Sequence, residues 1–76
     1  MKRIRGRIGK WNEFIEYKPI KGITLIAQKT GDEGWYVYRN ERGAIKTLKH
    51  FGSFNAASAY AFDKAQAEQD RAKGTL

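Results

Sequence analysis

The chain changes character at Gly52-Ser53, and that break constrains its fold more than any other feature. Before it, short apolar and aromatic segments alternate with turn signals; after it come seven alanines between residues 56 and 72, set among Gln66, Glu68, Gln69 and Lys73. Alanine loses no side-chain entropy in a helix and its companions lose little, so the second part predicts one helix over 54–73. Ser53 or Asn55 is placed to cap its first turn, Arg71 and Lys73 complement the dipole at its end, and Gly74 suits the stop. Spacing of three to four residues would bury Ala59, Phe62, Ala65 or Gln66, and Ala72.

The first part reads as strands. In residues 2–8, Arg3, Arg5 and Arg7 take odd positions and Ile4 and Ile8 even ones, the period-2 pattern of a strand with one charged face. A flexible basic arm over 1–10 has the same pattern. Gly9-Lys10 can turn the chain into residues 11–18, where Trp11, Ile15 and Tyr17 share one face and Asn12, Phe14, Glu16 and Lys18 the other. Pro19 lacks a donor and is expected to end that run. Lys21-Gly22 opens the apolar stretch 23–27, and Thr30-Gly31-Asp32-Glu33-Gly34 is a dense turn signal before the β-branched and aromatic run 35–39. Asn40-Glu41-Arg42-Gly43 reads as a short hairpin loop, with 44–51 as the partner strand.

Seventy-six residues allow one domain with a thin core. The expectation is therefore an α+β fold: an antiparallel sheet of three to five strands within 1–51, packed against one C-terminal helix. A single helix covers only one side of such a sheet, so alternate residues must face outward. Trp35 and Val37 are expected inward, Tyr36 and Tyr38 outward.

The residues that catalysis or metal binding would need are missing. Without cysteine there is no thiolate zinc site, thiol nucleophile or disulfide, and His50 is the only histidine, so neither a Ser-His-Asp arrangement nor a multi-histidine site can be assembled. The acids Glu13, Glu16, Asp32, Glu33, Glu41, Asp63, Glu68 and Asp70 include no pair in an apolar setting of the kind that raises a general acid's pKa. Gly6-Arg7-Ile8-Gly9-Lys10 has a glycine-loop look, but no Ser or Thr follows the lysine and no helix follows the loop. No enzyme, metal or cofactor is expected. No segment reaches the length of a signal peptide's apolar run or a membrane span, so a soluble, cytoplasmic protein is expected.

Charge points instead to a binding partner. The net charge is +7, and residues 1–29 carry eight Lys or Arg against two acids, whereas 54–76 carry three of each. A concentrated positive field steers polyanions and releases phosphate counterions. Aromatic rings interleave with the cations, and such residues can stack on bases, read guanine edges or neutralise phosphate. The candidate nucleic-acid contacts are Lys2, Arg3, Arg5, Arg7, Lys10, Tyr36, Tyr38, Arg39, Arg42, Lys46 and Lys49.

The segment from Gly34 to Gly43, followed by a second strand and an alanine-rich helix, resembles the arm-site DNA-binding domains of phage tyrosine-recombinase integrases and the plant ethylene-response-factor type domain. Phe51-Gly52-Ser53-Phe54, with Ala59-Tyr60 and Asp63-Lys64-Ala65, is similar to the strand-to-helix passage of the plant type. The basic N-terminal residues have a counterpart in the integrase arm. The resemblance covers residues 34–67 and implies a three-stranded antiparallel sheet, backed by a helix, that enters the DNA major groove with Tyr36, Tyr38, Arg39 and Arg42 near DNA. Two departures stand out: the spacing from Phe54 to Tyr60 is shorter than in the plant type, and residues 11–30 add one or two strands that could cover the DNA-facing side.

The leading expectation is a small nucleic-acid-binding protein, with DNA favoured over RNA, serving a phage or other mobile element as an accessory factor. The alternative is a phage-encoded inhibitor that binds a host nucleic-acid-handling complex, such as an anti-CRISPR protein. A ribosomal or RNA-associated barrel is the third, supported by five possible strands and opposed by the long helix.

Overall fold

A computed structural model describes residues 1–10 and 12–74. The elements run β1 (Lys2–Ile8), β2 (Asn12–Ile20), β3 (Ile23–Lys29), β4 (Trp35–Glu41), β5 (Ala44–Phe51) and α1 (Phe54–Gly74). All five strands form one antiparallel sheet in chain order, each paired with its neighbour in sequence. This is the expected α+β arrangement, with α1 packed on one face. Residues 2–8 are a strand paired with β2 along their whole length, Lys2 opposite Lys18 and Ile8 opposite Asn12.

Local chemistry sets the turns. The loop between β4 and β5 is only Arg42-Gly43, both left-handed at φ 51° and 95°, the pair of conformations that matches the twist of a two-residue hairpin. Asn40 and Glu41, expected in that loop, belong instead to β4. Asn40 Oδ1 accepts the Gly43 N–H at 2.8 Å, and the Arg42 N–H donates to the Gly22 carbonyl at 2.9 Å, which ties this turn to the one between β2 and β3. The Thr30–Gly34 turn is closed by the Thr30 N–H on the Gly34 carbonyl at 2.9 Å. Gly34 has φ 94°, and a Cβ there would stand 2.8 Å from the Phe51 carbonyl oxygen, so only glycine fits.

Two irregularities were not expected. Pro19 does not end β2: the strand runs on to Ile20 through a register shift between Tyr17 and Ile20, which absorbs the missing N–H. A second shift, at Val37/Tyr38, makes Leu48 the extra residue of β5, because Val37 faces Lys49 and Tyr38 faces Thr47.

The core lies between α1 and one face of the sheet. It consists of Ile15 and Tyr17, Leu25 and Ala27, Trp35 and Val37, with Ala57, Ala61 and Ala65 from the helix. Trp35 and Val37 point inward as expected. Of the expected helix face Ala65 is buried, but Ala59 is exposed, and Phe62 is 44% exposed with its ring edge-on to Tyr17 at 5.6 Å. Methyl groups at four-residue spacing let the helix axis lie close to the sheet, and larger rings take its flanks. Ser53 is the cap, its Oγ accepting the Ala56 N–H at 3.2 Å, while Asn55 lies inside the helix. Trp11, read on the face of Ile15 and Tyr17, lies outside the described residues. Among the described residues, no helix is long and apolar enough to cross a membrane.

Candidate functional site

The strands of residues 11–30, β2 and β3, with β1 beyond them, extend the sheet sideways, and the face away from α1 is left open. Paired residues project to the same side, so the register defines that face row by row. One row is Gly6, Phe14, Gln28, Tyr36 and His50; the next is Ile4, Glu16, Ile26, Tyr38 and Thr47. Phe14 lies across Gly6, where a Cβ would come 2.9 Å from the ring. Tyr36 and Tyr38 have ring centroids 6.3 Å apart with planes 29° from parallel, and Tyr36 also meets the His50 ring at 4.7 Å. His50 Nε2 reaches the Glu33 carbonyl, and this contact places the ring beside Tyr36.

One end of this face is cationic. Lys2 stands opposite Lys18, and beyond the register shift of β2 the row of Thr24, Asn40 and Ile45 lies at the same end. Just beyond, the two tied turns bring Lys21 and Arg42 to the same shallow depression as Lys18, with the Arg42 side chain lying over Gly22. Among the described residues, none of Lys2, Lys18, Lys21 and Arg42 makes an ion pair.

The remaining candidate cations lie elsewhere. Arg3, Arg5 and Arg7 share the parity of Tyr17 and Ile15, so they stand on the helix side of the exposed edge strand β1. The Arg5 guanidinium sits 4.5 Å over the Phe54 ring, and Arg7 meets Glu13 at 3.6 Å. Lys10 is exposed in the turn between β1 and β2. Arg39, read together with Tyr36 and Tyr38, is on the opposite side of β4. Its Nη1 donates to Glu41 at 2.8 Å and its Nε to Glu68 at 2.9 Å, and these bonds raise its already high pKa. Lys46 pairs with Arg39 and shares its side, and the Lys49 ammonium lies 5.4 Å from the Phe51 ring and 5.7 Å from that of Tyr60.

The sheet thus separates the constellation read from the sequence. Tyr36 and Tyr38 are accompanied by Lys2, and Arg42 lies beyond the same end; Arg3, Arg5, Arg7, Arg39, Lys46 and Lys49 stand on the helix side. Lys21, Phe14 and His50 were not among the candidates, and Lys18 was read only by its face, shared with Phe14. The parity of Lys18 with Phe14 was a usable signal, whereas Lys21 joins the cluster only through the meeting of two turns. No group of three or more His, Cys, Asp or Glu among the described residues is placed to hold a metal ion. No protein family, curated protein or solved structure matches the chain, so the likeness of residues 34–67 to the two DNA-binding domain types rests on those residues alone.

Proposed function

We propose that the chain is a small nucleic-acid-binding protein of the cytoplasm, acting on DNA before RNA, of the kind a phage or other mobile element uses as an accessory factor. The observation that carries this reading is the cluster of Lys2, Lys18, Lys21 and Arg42 at the end of the tyrosine rows, four cations without an ion-pair partner among the described residues. Exposed ion pairs add little to folding, and unpaired like charges held together oppose it, so the cluster is better accounted for by an anionic partner than by stability. The arginine row of β1 adds Arg3 and Arg5, and Arg7 beside its partner Glu13, at a repeat of about 6.7 Å along the edge of the same sheet.

Titration into fluorescently labelled nucleic acid tests the reading. If four phosphates are neutralised, affinity should fall by about a hundredfold between about 50 and 200 mM salt. Lys18→Ala combined with Lys21→Ala should lower the salt slope by about two. Absence of binding at the lower salt overturns the reading.

The second reading, a protein-binding inhibitor of a nucleic-acid machine such as an anti-CRISPR protein, is favoured by one observation. Ile4, Phe14 and Ile26 lie among the tyrosines on an uncovered face, a pattern also found at protein interfaces. It predicts a partner whose binding changes little with salt.

A further inference from the structure

Resting on the nucleic-acid reading, we infer that the open face takes an unpaired strand, with bases stacked on Tyr36 and Tyr38 and phosphates directed to the cationic end. Duplex recognition through the major groove relies on forked donors presented to base edges. The arginines within the strands, Arg3, Arg5, Arg7 and Arg39, all stand on the helix side, so the middle of the open face has no arginine fork for guanine, the commonest such contact.

What the middle does present is ring surface. Tyr36 and Tyr38 are two residues apart on one strand, at 6.3 Å and 29°, with His50 closing one side at 4.7 Å. Successive aromatic platforms on an antiparallel sheet suit successive unstacked bases, whose faces a duplex conceals. Glu16 lies in the Tyr38 row and repels phosphate from the centre, while Lys18, Lys21 and Arg42 attract it at the rim. Bases inward with backbone at the rim is an arrangement open to a single strand and closed to a duplex. Gln28 and Thr47, beside the two tyrosines in their rows, offer polar contacts to base edges.

The test uses the whole chain with labelled oligo(dT), oligo(U) and a duplex, each about 12 units long, within the range of site sizes of single-strand binders. Both single strands should bind at least about tenfold more tightly than the duplex, because only unstacked bases expose their faces to the tyrosines. Tyr36→Ala with Tyr38→Ala should weaken single-strand binding by about thirtyfold or more without changing the salt slope, and the double Phe variant should stay within about threefold of the parent. Independently of any variant's folding, the Tyr36 and Tyr38 ring protons of the parent should move upfield when oligo(dT) is added. Duplex binding as tight as single-strand binding, with the ring signals unmoved, overturns the stacking proposal and leaves the nucleic-acid reading standing. Failure to bind any of the three polymers overturns the reading itself.

Discussion

Arg42 holds a left-handed backbone at φ 51°, a conformation that a residue with a Cβ adopts at a cost of about 1 kcal/mol or more. Asparagine before glycine is the usual choice for such a hairpin, because its short polar side chain tolerates that region. An arginine here places its guanidinium over Gly22, at the cationic end of the open face. Strain and charge at one position suggest that stability is given up for binding. Arg42→Asn should therefore raise the unfolding free energy by about 0.5–1 kcal/mol while reducing the salt slope of nucleic-acid binding by about one. Urea unfolding and a salt titration of the same preparation check both halves. A loss of stability would instead make the packing of Arg42 on the neighbouring turn its reason for being there.

At the scale of elements, the helix is held by small residues rather than by a broad apolar stripe. Ala57, Ala61 and Ala65 are fully buried against the sheet. Ala61→Leu has no room to expand and should cost about 1–3 kcal/mol, whereas Ala59→Leu, on the exposed side, should stay within about 0.5 kcal/mol. Thermal unfolding of the two variants separates them. The same chemistry explains why the helix was legible as a helix but not in its phase: alanines fall on several of its sides, so they do not mark one face, and Phe62 draws attention to a flank. The strands were easier. Parity alone places Trp35 and Val37 inward and Tyr36 and Tyr38 outward, since alternation on a one-sided sheet leaves two choices and the core requires one. Pro19 within β2 and the extra residue Leu48 in β5 were not legible, because a register shift depends on the partner strand, which a local pattern does not contain.

Over the whole molecule, an elongated body of 43 × 20 × 19 Å, the candidate site was legible in its ingredients and not in its assembly. Which cations accompany the tyrosines depends on register carried through every turn of the meander. Arg39, one residue from Tyr38, is turned to the helix side, where it does different work. There Glu68 of α1 accepts from Arg39 of β4 at 2.9 Å and from Arg71 at 2.5 Å, a charged tie between helix and sheet. Partial burial pushes the Glu68 carboxyl up, but the hydrogen bonds from Arg71 and Arg39 outweigh it and hold the pKa below the ordinary value of 4.5. A carboxylate depressed on folding contributes stability that is complete above its unfolded pKa and is lost as pH falls through its folded one. Arg39 stays charged throughout that range. Glu68→Gln should therefore cost about 1 kcal/mol at neutral pH, more than an exposed pair returns on average and less than the loss of a fully buried one. The gap between parent and variant should stay constant down to about pH 5, then shrink as acid protonates Glu68 in the parent. Urea unfolding of both proteins from pH 7 to about pH 2.5 measures the gap. A gap that persisted at the acid end would mean that Glu68 joins the two layers by its shape and packing and not by its charge.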